Sequence, residues 1–108
     1  MKNYITEFIG TFFLVLAIGL TGNPLAIGAM LMVMVYMGGH ISGAHYNPAV
    51  SIAMIFRGLL TIKEAIKYIL SQLAGAFLAA IFVQWVGGSV MQIAPNDSAS
   101  VMQILAVE

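Results

Sequence analysis

The stretch His40-Ile41-Ser42-Gly43-Ala44-His45-Tyr46-Asn47-Pro48-Ala49-Val50-Ser51 lies between two apolar runs, yet it begins small, polar and turn-forming. Asn47 followed by Pro48 is a helix start. The Asn side-chain oxygen accepts orphan backbone N–H groups of the first turn. Pro suits the first helical position because its φ is preset and its missing N–H would have no partner there. The helix that follows, over about 47–57, closes at Arg57-Gly58. At about 1.5 Å per residue it is far too short to cross a hydrocarbon core of about 30 Å. A capped half-helix between long apolar runs predicts a re-entrant segment. Non-helical backbone at that depth is tolerated only when it is buried in protein or faces water.

The surroundings agree with a bilayer. The 108 residues are 61% hydrophobic and 7% charged, against about 25% charged in soluble domains, so a single polytopic membrane unit over 1–108 is expected. Net charge is zero with no basic cluster, which excludes nucleic acid as a partner. With no cysteine, disulfides and thiolate chemistry are excluded.

Outward from the central stretch, three spans are predicted, over about 4–20, 24–39 and 62–87. The first begins after Lys2 and carries Glu7 and Thr11 on one face at i,i+4. Its only feature of a secretory leader is a weak Ala17-Ile18-Gly19 cleavage pattern, and Glu7 interrupts the apolar run, so it is read as a retained span. Thr21-Gly22-Asn23-Pro24 is a tight turn, again with Asn before Pro. The second span is predicted to end at Gly38-Gly39. Thr61-Ile62-Lys63-Glu64 has the pattern of a capping box, in which Thr61 caps and Glu64 reaches back. The third span carries Gln72, Gly75, Ala76, Ala79 and Ala80 in one helical stripe, suited to close helix–helix approach with one amide bonding across it. Lys2, Arg57, Lys63 and Lys67 all fall on one side, and the positive-inside rule puts that side, with the N-terminus, in the cytoplasm.

Ser42-Gly43-Ala44-His45-Tyr46-Asn47-Pro48-Ala49-Val50-Ser51 resembles the first signature loop of the aquaporin / major intrinsic protein family. The resemblance extends to Glu7-Phe8-Ile9-Gly10-Thr11 in the first span and Gln72-Leu73-Ala74-Gly75-Ala76 in the third, and so takes in nearly the whole chain. It implies an all-α membrane fold: an aquaporin-like half repeat with three transmembrane helices and one re-entrant half-helix. The family has two inverted repeats whose half-helices meet at mid-membrane. Val101 to Val107 followed by Glu108 looks like the approach to a second repeat, so the chain reads as a truncated first half of a channel that is homotetrameric when full length.

The resemblance implies a passive channel for water or small neutral, glycerol-like solutes in the plasma membrane, not an enzyme. Asn47, Pro48, Ala49, Gly43, Ala44, His45 and Ile27 would line the pore. Asn47 would donate its amide at the positive end of the half-helix, holding water and repelling cations. Gly43, Ala44 and His45 would offer carbonyls from extended backbone. Counted back from Asn47 without a gap, Ile27 falls where water-specific members carry an aromatic, which puts water-only selectivity in doubt. Glu7, Thr11, Gln72 and Gly75 would be structural support, with Glu7 bracing the loop near His45. The plainer readings are a structural cap for Asn47 and a first-turn acid favoured by the helix dipole for Glu7.

His40 and His45 are not in HExxH spacing and no cysteine or nearby carboxylate joins them, so neither metal nor cofactor is expected. The Met30, Met32, Met34 and Met37 run reads as packing or lipid contact. Two rival readings stand beside the truncated channel. One is a half-channel that pairs with a second half. The other is a non-transporting membrane subunit that docks through the small-residue stripe.

Overall fold

A computed structural model describes residues 1–88. Four helices follow in order: α1 Lys2–Thr21, α2 Pro24–Ser42, α3 Pro48–Phe56 and α4 Ile62–Gly88. α1, α2 and α4 are long and apolar enough to cross a membrane. α3 has nine residues, or about 14 Å, and cannot. The Val101–Glu108 segment read as a second approach lies outside the described residues.

Local chemistry sets most of the helix ends. α1 stops at Gly22, whose φ of 59° lets its N–H reach back to the Ile18 carbonyl. Asn23 then caps α2 by accepting from Leu25 N–H at 2.8 Å and Ala26 N–H at 3.3 Å. Asn47 caps α3 through Ala49 N–H at 2.8 Å. At α4, Thr61 N–H donates to Glu64 Oε1 and Glu64 N–H donates to Thr61 Oγ1, both at 3.1 Å. That is the reciprocal capping box.

α2 departs from expectation. It runs through Gly38-Gly39 and ends only at Ser42, where Gly43 at φ 91° closes it with a bond from its N–H to the Gly39 carbonyl. Interior glycines weaken a helix by about 1 kcal/mol each, but here Gly38 is needed for packing. A Cβ on Gly38 would come within 2.5 Å of the Thr6 side chain on α1. Tertiary contact therefore overrides local preference.

α1 is central, with α2 on one side and α4 on the other. Thr6 faces Gly38, and Leu14 clusters with Met34, so α1 and α2 run antiparallel. Tyr4 meets Tyr68, Glu7 meets Gln72, and Gly19 meets Val83, so α1 and α4 run parallel. Their seam is the small-residue stripe. Gln72, Ala76, Ala79 and Ala80 are all buried, and Ala76 and Ala79 pack with Val15. A Cβ on Gly75 would meet the Phe8 carbonyl oxygen at 2.4 Å, which measures how closely the backbones approach. Much of the remaining apolar surface, including Leu25, Phe56, Leu70 and Trp85, faces outward, as lipid-facing helices require. The methionines divide: Met34 is buried, Met30 and Met37 pack against its cluster, and Met32 is exposed.

Candidate functional site

The connection from α2 to α3, residues 43–47, is an irregular segment that carries the buried Tyr46 among the helices, and its polar groups must find partners there. Glu7, fully buried on α1, supplies them. Its Oε2 accepts the Ser42 hydroxyl at 2.6 Å and the His45 N–H at 3.1 Å. Its Oε1 accepts the Tyr46 N–H at 2.8 Å and the Gln72 side-chain amide at 2.8 Å. Four donors thus converge on two oxygens, a set that suits an acceptor-only carboxylate. Hydrogen bonds of this charge-assisted kind are about twice as strong as neutral ones.

The loop backbone is left-handed at Gly43 and Ala44, contrary to the sequence expectation of extended backbone there. Gly43 has φ 91°, Ala44 φ 54° and Tyr46 φ 55°. Left-handed residues on either side of His45 turn two successive N–H groups, of His45 and Tyr46, toward one carboxylate. Such concavities of backbone donors bind anions, and here the anion is a side chain of the same protein. Each non-glycine residue in this region costs of order 1–3 kcal/mol and persists only where its surroundings over-determine it.

A second tier surrounds the first. Gln72 Nε2 also donates to Ser51 Oγ at 3.0 Å, and Ser51 Oγ lies 2.9 Å from His45 Nδ1. Tyr68 donates its hydroxyl to the Ser42 carbonyl at 2.7 Å, and its ring lies 4.9 Å from the His45 ring. Asn3 donates to the Tyr68 hydroxyl at 3.3 Å. Tyr46 is almost wholly buried and donates its hydroxyl to the Met34 carbonyl of α2 at 2.6 Å.

Of the residues singled out in the sequence, Glu7 meets the loop directly, and Gln72 reaches Glu7 and Ser51 of α3. Gly75 serves the α1–α4 seam. Thr11 is buried on the same seam, but its hydroxyl has no hydrogen-bond partner among the described residues, and neither has Gln72 Oε1. Asn47, Pro48, Ala44 and His45 are half-buried, while Gly43 and Ala49 are exposed. Ile27 sits in the second turn of α2, packed against the cluster of Leu14, Met34 and Tyr46. His40 is not part of the assembly around Glu7. Ser42, Tyr46, Ser51 and Tyr68 were missed. Two carried a signal: Ser51 is the lone hydroxyl on an apolar half-helix, and Tyr68 precedes Gln72 by one helical turn.

Residues 1–108 match the family described as Major intrinsic protein. The chain belongs to that family. It is accordingly an integral membrane protein. It is 38% identical over 94 residues to Aquaporin NIP1-1 of Arabidopsis thaliana, which covers 74% of this chain and 32% of that protein. It is 39% identical over 95 residues to Aquaporin Z of Photorhabdus laumondii, covering 74% and 41%. It is 39% identical over 98 residues to Glycerol uptake facilitator protein-like 6 of Lactiplantibacillus plantarum, covering 78% and 43%. The chain thus spans about a third to two fifths of the length of these relatives.

Proposed function

We propose that this chain forms half the wall of a passive channel for water and small neutral solutes, completed by a second, inverted repeat. The observation that carries the reading is α3: a half-helix too short to span, started by Asn47-Pro48-Ala49 and braced from the buried Glu7, in a chain of the major intrinsic protein family. Asn47 is the central pore residue. Its oxygen is committed to Ala49 N–H, which turns the amide NH2 edge away from the first turn of α3. A donor at the positive end of a helix favours a water or hydroxyl oxygen and disfavours cations. Pro48 and Ala49 keep the meeting point narrow, and Gly43, Ala44 and His45 contribute loop surface. Ile27 is aliphatic, and relatives carry both aquaporin and glycerol-facilitator names, so the solutes extend beyond water to glycerol-like molecules. The complete channel is a homotetramer in the plasma membrane. No step is covalent, and no cofactor takes part.

The small-residue stripe offers little to a docking-subunit reading, because Ala76 and Ala79 are used up against Val15 within the chain. For orientation, α1 and α4 run parallel, so Lys2, Lys63 and Lys67 lie at one end. Arg57 joins them, a few residues before α4 begins. The positive-inside rule then favours a cytoplasmic N-terminus and speaks against dual insertion.

Stopped-flow light scattering of proteoliposomes holding the chain with its second repeat tests the channel. The second repeat is included whether it is encoded in the same frame or separately. Volume recovery under osmotic and glycerol gradients should exceed that of protein-free liposomes; equal rates for both gradients would remove the reading. The chain has no cysteine, so orientation is read from Leu25→Cys and Leu59→Cys, both at exposed positions at opposite ends. Leu59→Cys should label only from the cytoplasmic face and Leu25→Cys only from the other.

A further inference from the structure

One buried group in the loop is not absorbed by the pore reading. Tyr46 immediately precedes Asn47, is 1% exposed, and lies in the left-handed region at φ 55°. Its backbone N–H is tied to Glu7 on α1 at 2.8 Å, and its hydroxyl is tied to the Met34 carbonyl on α2 at 2.6 Å. The space for this side chain is made by two glycines. A Cβ on Gly10 would lie 2.1 Å from the Tyr46 ring, and one on Gly38 would lie 2.1 Å from its hydroxyl. The ring, with Leu14 and Met34, forms the cluster against which Ile27 and Ala44 pack. One side chain therefore links the loop to α2 and belongs to the cluster against which Ile27 and Ala44, both proposed to line the pore, are packed.

We infer that Tyr46 is a positioning residue that fixes the Asn47 loop against α2, and so sets the size of solute that the pore passes. The inference rests on the channel reading for its second half only. A carbonyl has two lone pairs, so Met34 can accept both its helical bond and the Tyr46 hydroxyl. Removing the hydroxyl leaves the ring packed and the helix intact, but frees α2 to move relative to the loop.

Tyr46→Phe separates these roles. In the cysteine-free chain, Ala49→Cys at the exposed start of α3 reports loop position through its rate of thiol modification. In the Tyr46→Phe background that rate should rise about fivefold, the change expected for one lost buried hydrogen bond. An unchanged rate overturns the positioning role, and this readout needs no flux. In proteoliposomes, Tyr46→Phe should raise the ratio of glycerol to water permeability. A parallel fall of both permeabilities, with the ratio constant, is what a merely structural residue gives and overturns the solute-size role. Absence of both fluxes in the unsubstituted protein removes the channel reading and the solute-size role with it, while the thiol rate still decides whether Tyr46 holds the loop.

Discussion

The Glu7 carboxylate accepts the backbone N–H of Tyr46 at 2.8 Å, a contact across 39 residues of sequence. It ties the second turn of α1 to the residue just before the α3 cap. The chain just ahead of the half-helix is thus held by a side chain in another helix, which accepts two successive loop N–H groups. A hydrogen-bonded loop of this kind pairs its backbone groups where water is absent, which is the condition for irregular backbone within a bilayer.

Glu7→Ala should reduce folded yield far more than Glu64→Ala. The first leaves the Ser42 hydroxyl, two loop N–H groups and the Gln72 amide without the Glu7 acceptor, and at about 1–3 kcal/mol for each buried donor left unsatisfied the total loss is several kcal/mol. That is comparable with the whole stability of many native proteins. Glu64→Ala removes two exposed bonds, from the Thr61 N–H and the Thr61 hydroxyl, while the Thr61 cap on residue 64 remains. Size-exclusion profiles of detergent-solubilised protein compare the two, and equal yields would remove the bracing role.

Gly75→Ala and Gly28→Ala should move thermal stability in opposite directions. At Gly75 the new methyl would sit 2.4 Å from the Phe8 carbonyl oxygen and 3.2 Å from the Phe12 nitrogen. Those are backbone atoms of a packed helix and cannot swing away, so α1 and α4 must separate, costing about 1–3 kcal/mol or more. At Gly28 nothing lies within 4 Å, and Ala is the better helix former by about 1 kcal/mol. Unfolding midpoints in one detergent should fall for the first and hold or rise for the second.

Gly38→Ala and Tyr46→Phe should be coupled. Alone, the Gly38 methyl would collide with the Tyr46 hydroxyl at 2.1 Å and with Thr6 Cγ2 at 2.5 Å. Removing the hydroxyl relieves the first collision and leaves the second. The double variant should therefore be less destabilised than the sum of the singles, by an interaction of order 1 kcal/mol. Additive midpoint shifts would mean that the ring moves rather than the hydroxyl being held between α1 and α2.

What could be read from the sequence was what local chemistry decides. Asn23-Pro24, Asn47-Pro48 and Thr61 with Glu64 each announce a helix start, because a cap is completed within three or four residues. The α4 stripe was legible because a helical face has a fixed period. The end of α2 was not. Gly38-Gly39 resembles a stop, and only the close approach of Thr6 and Tyr46 explains why the helix continues to Ser42. The left-handed turns at Ala44 and Tyr46 were equally hidden, since the carboxylate that draws their neighbourhood into shape lies on another helix. Glu7 itself was singled out through family resemblance; Ser51 and Tyr68 carried a local signal, whereas Ser42 gains its meaning only once the helices are assembled.

The two Asn-Pro caps should differ in function although they are alike in structure. Asn23 accepts from Leu25 and Ala26, and Asn47 accepts from Ala49. Replacing either by Ala should cost about 1 kcal/mol of stability. Replacing either by Asp keeps an oxygen for the cap and adds a negative charge that the helix N-terminus favours, so both Asp variants should fold. At Asn23, at the α1–α2 turn, the change should leave cation leak of proteoliposomes at its original level. At Asn47 it exchanges an amide donor for a carboxylate at the point where the proposed pore excludes cations, and sodium or proton leak should rise while neutral-solute flux persists. Equal leak in the two Asp variants would reduce Asn47 to a helix cap, and the exclusion of cations would have to be placed elsewhere along the path.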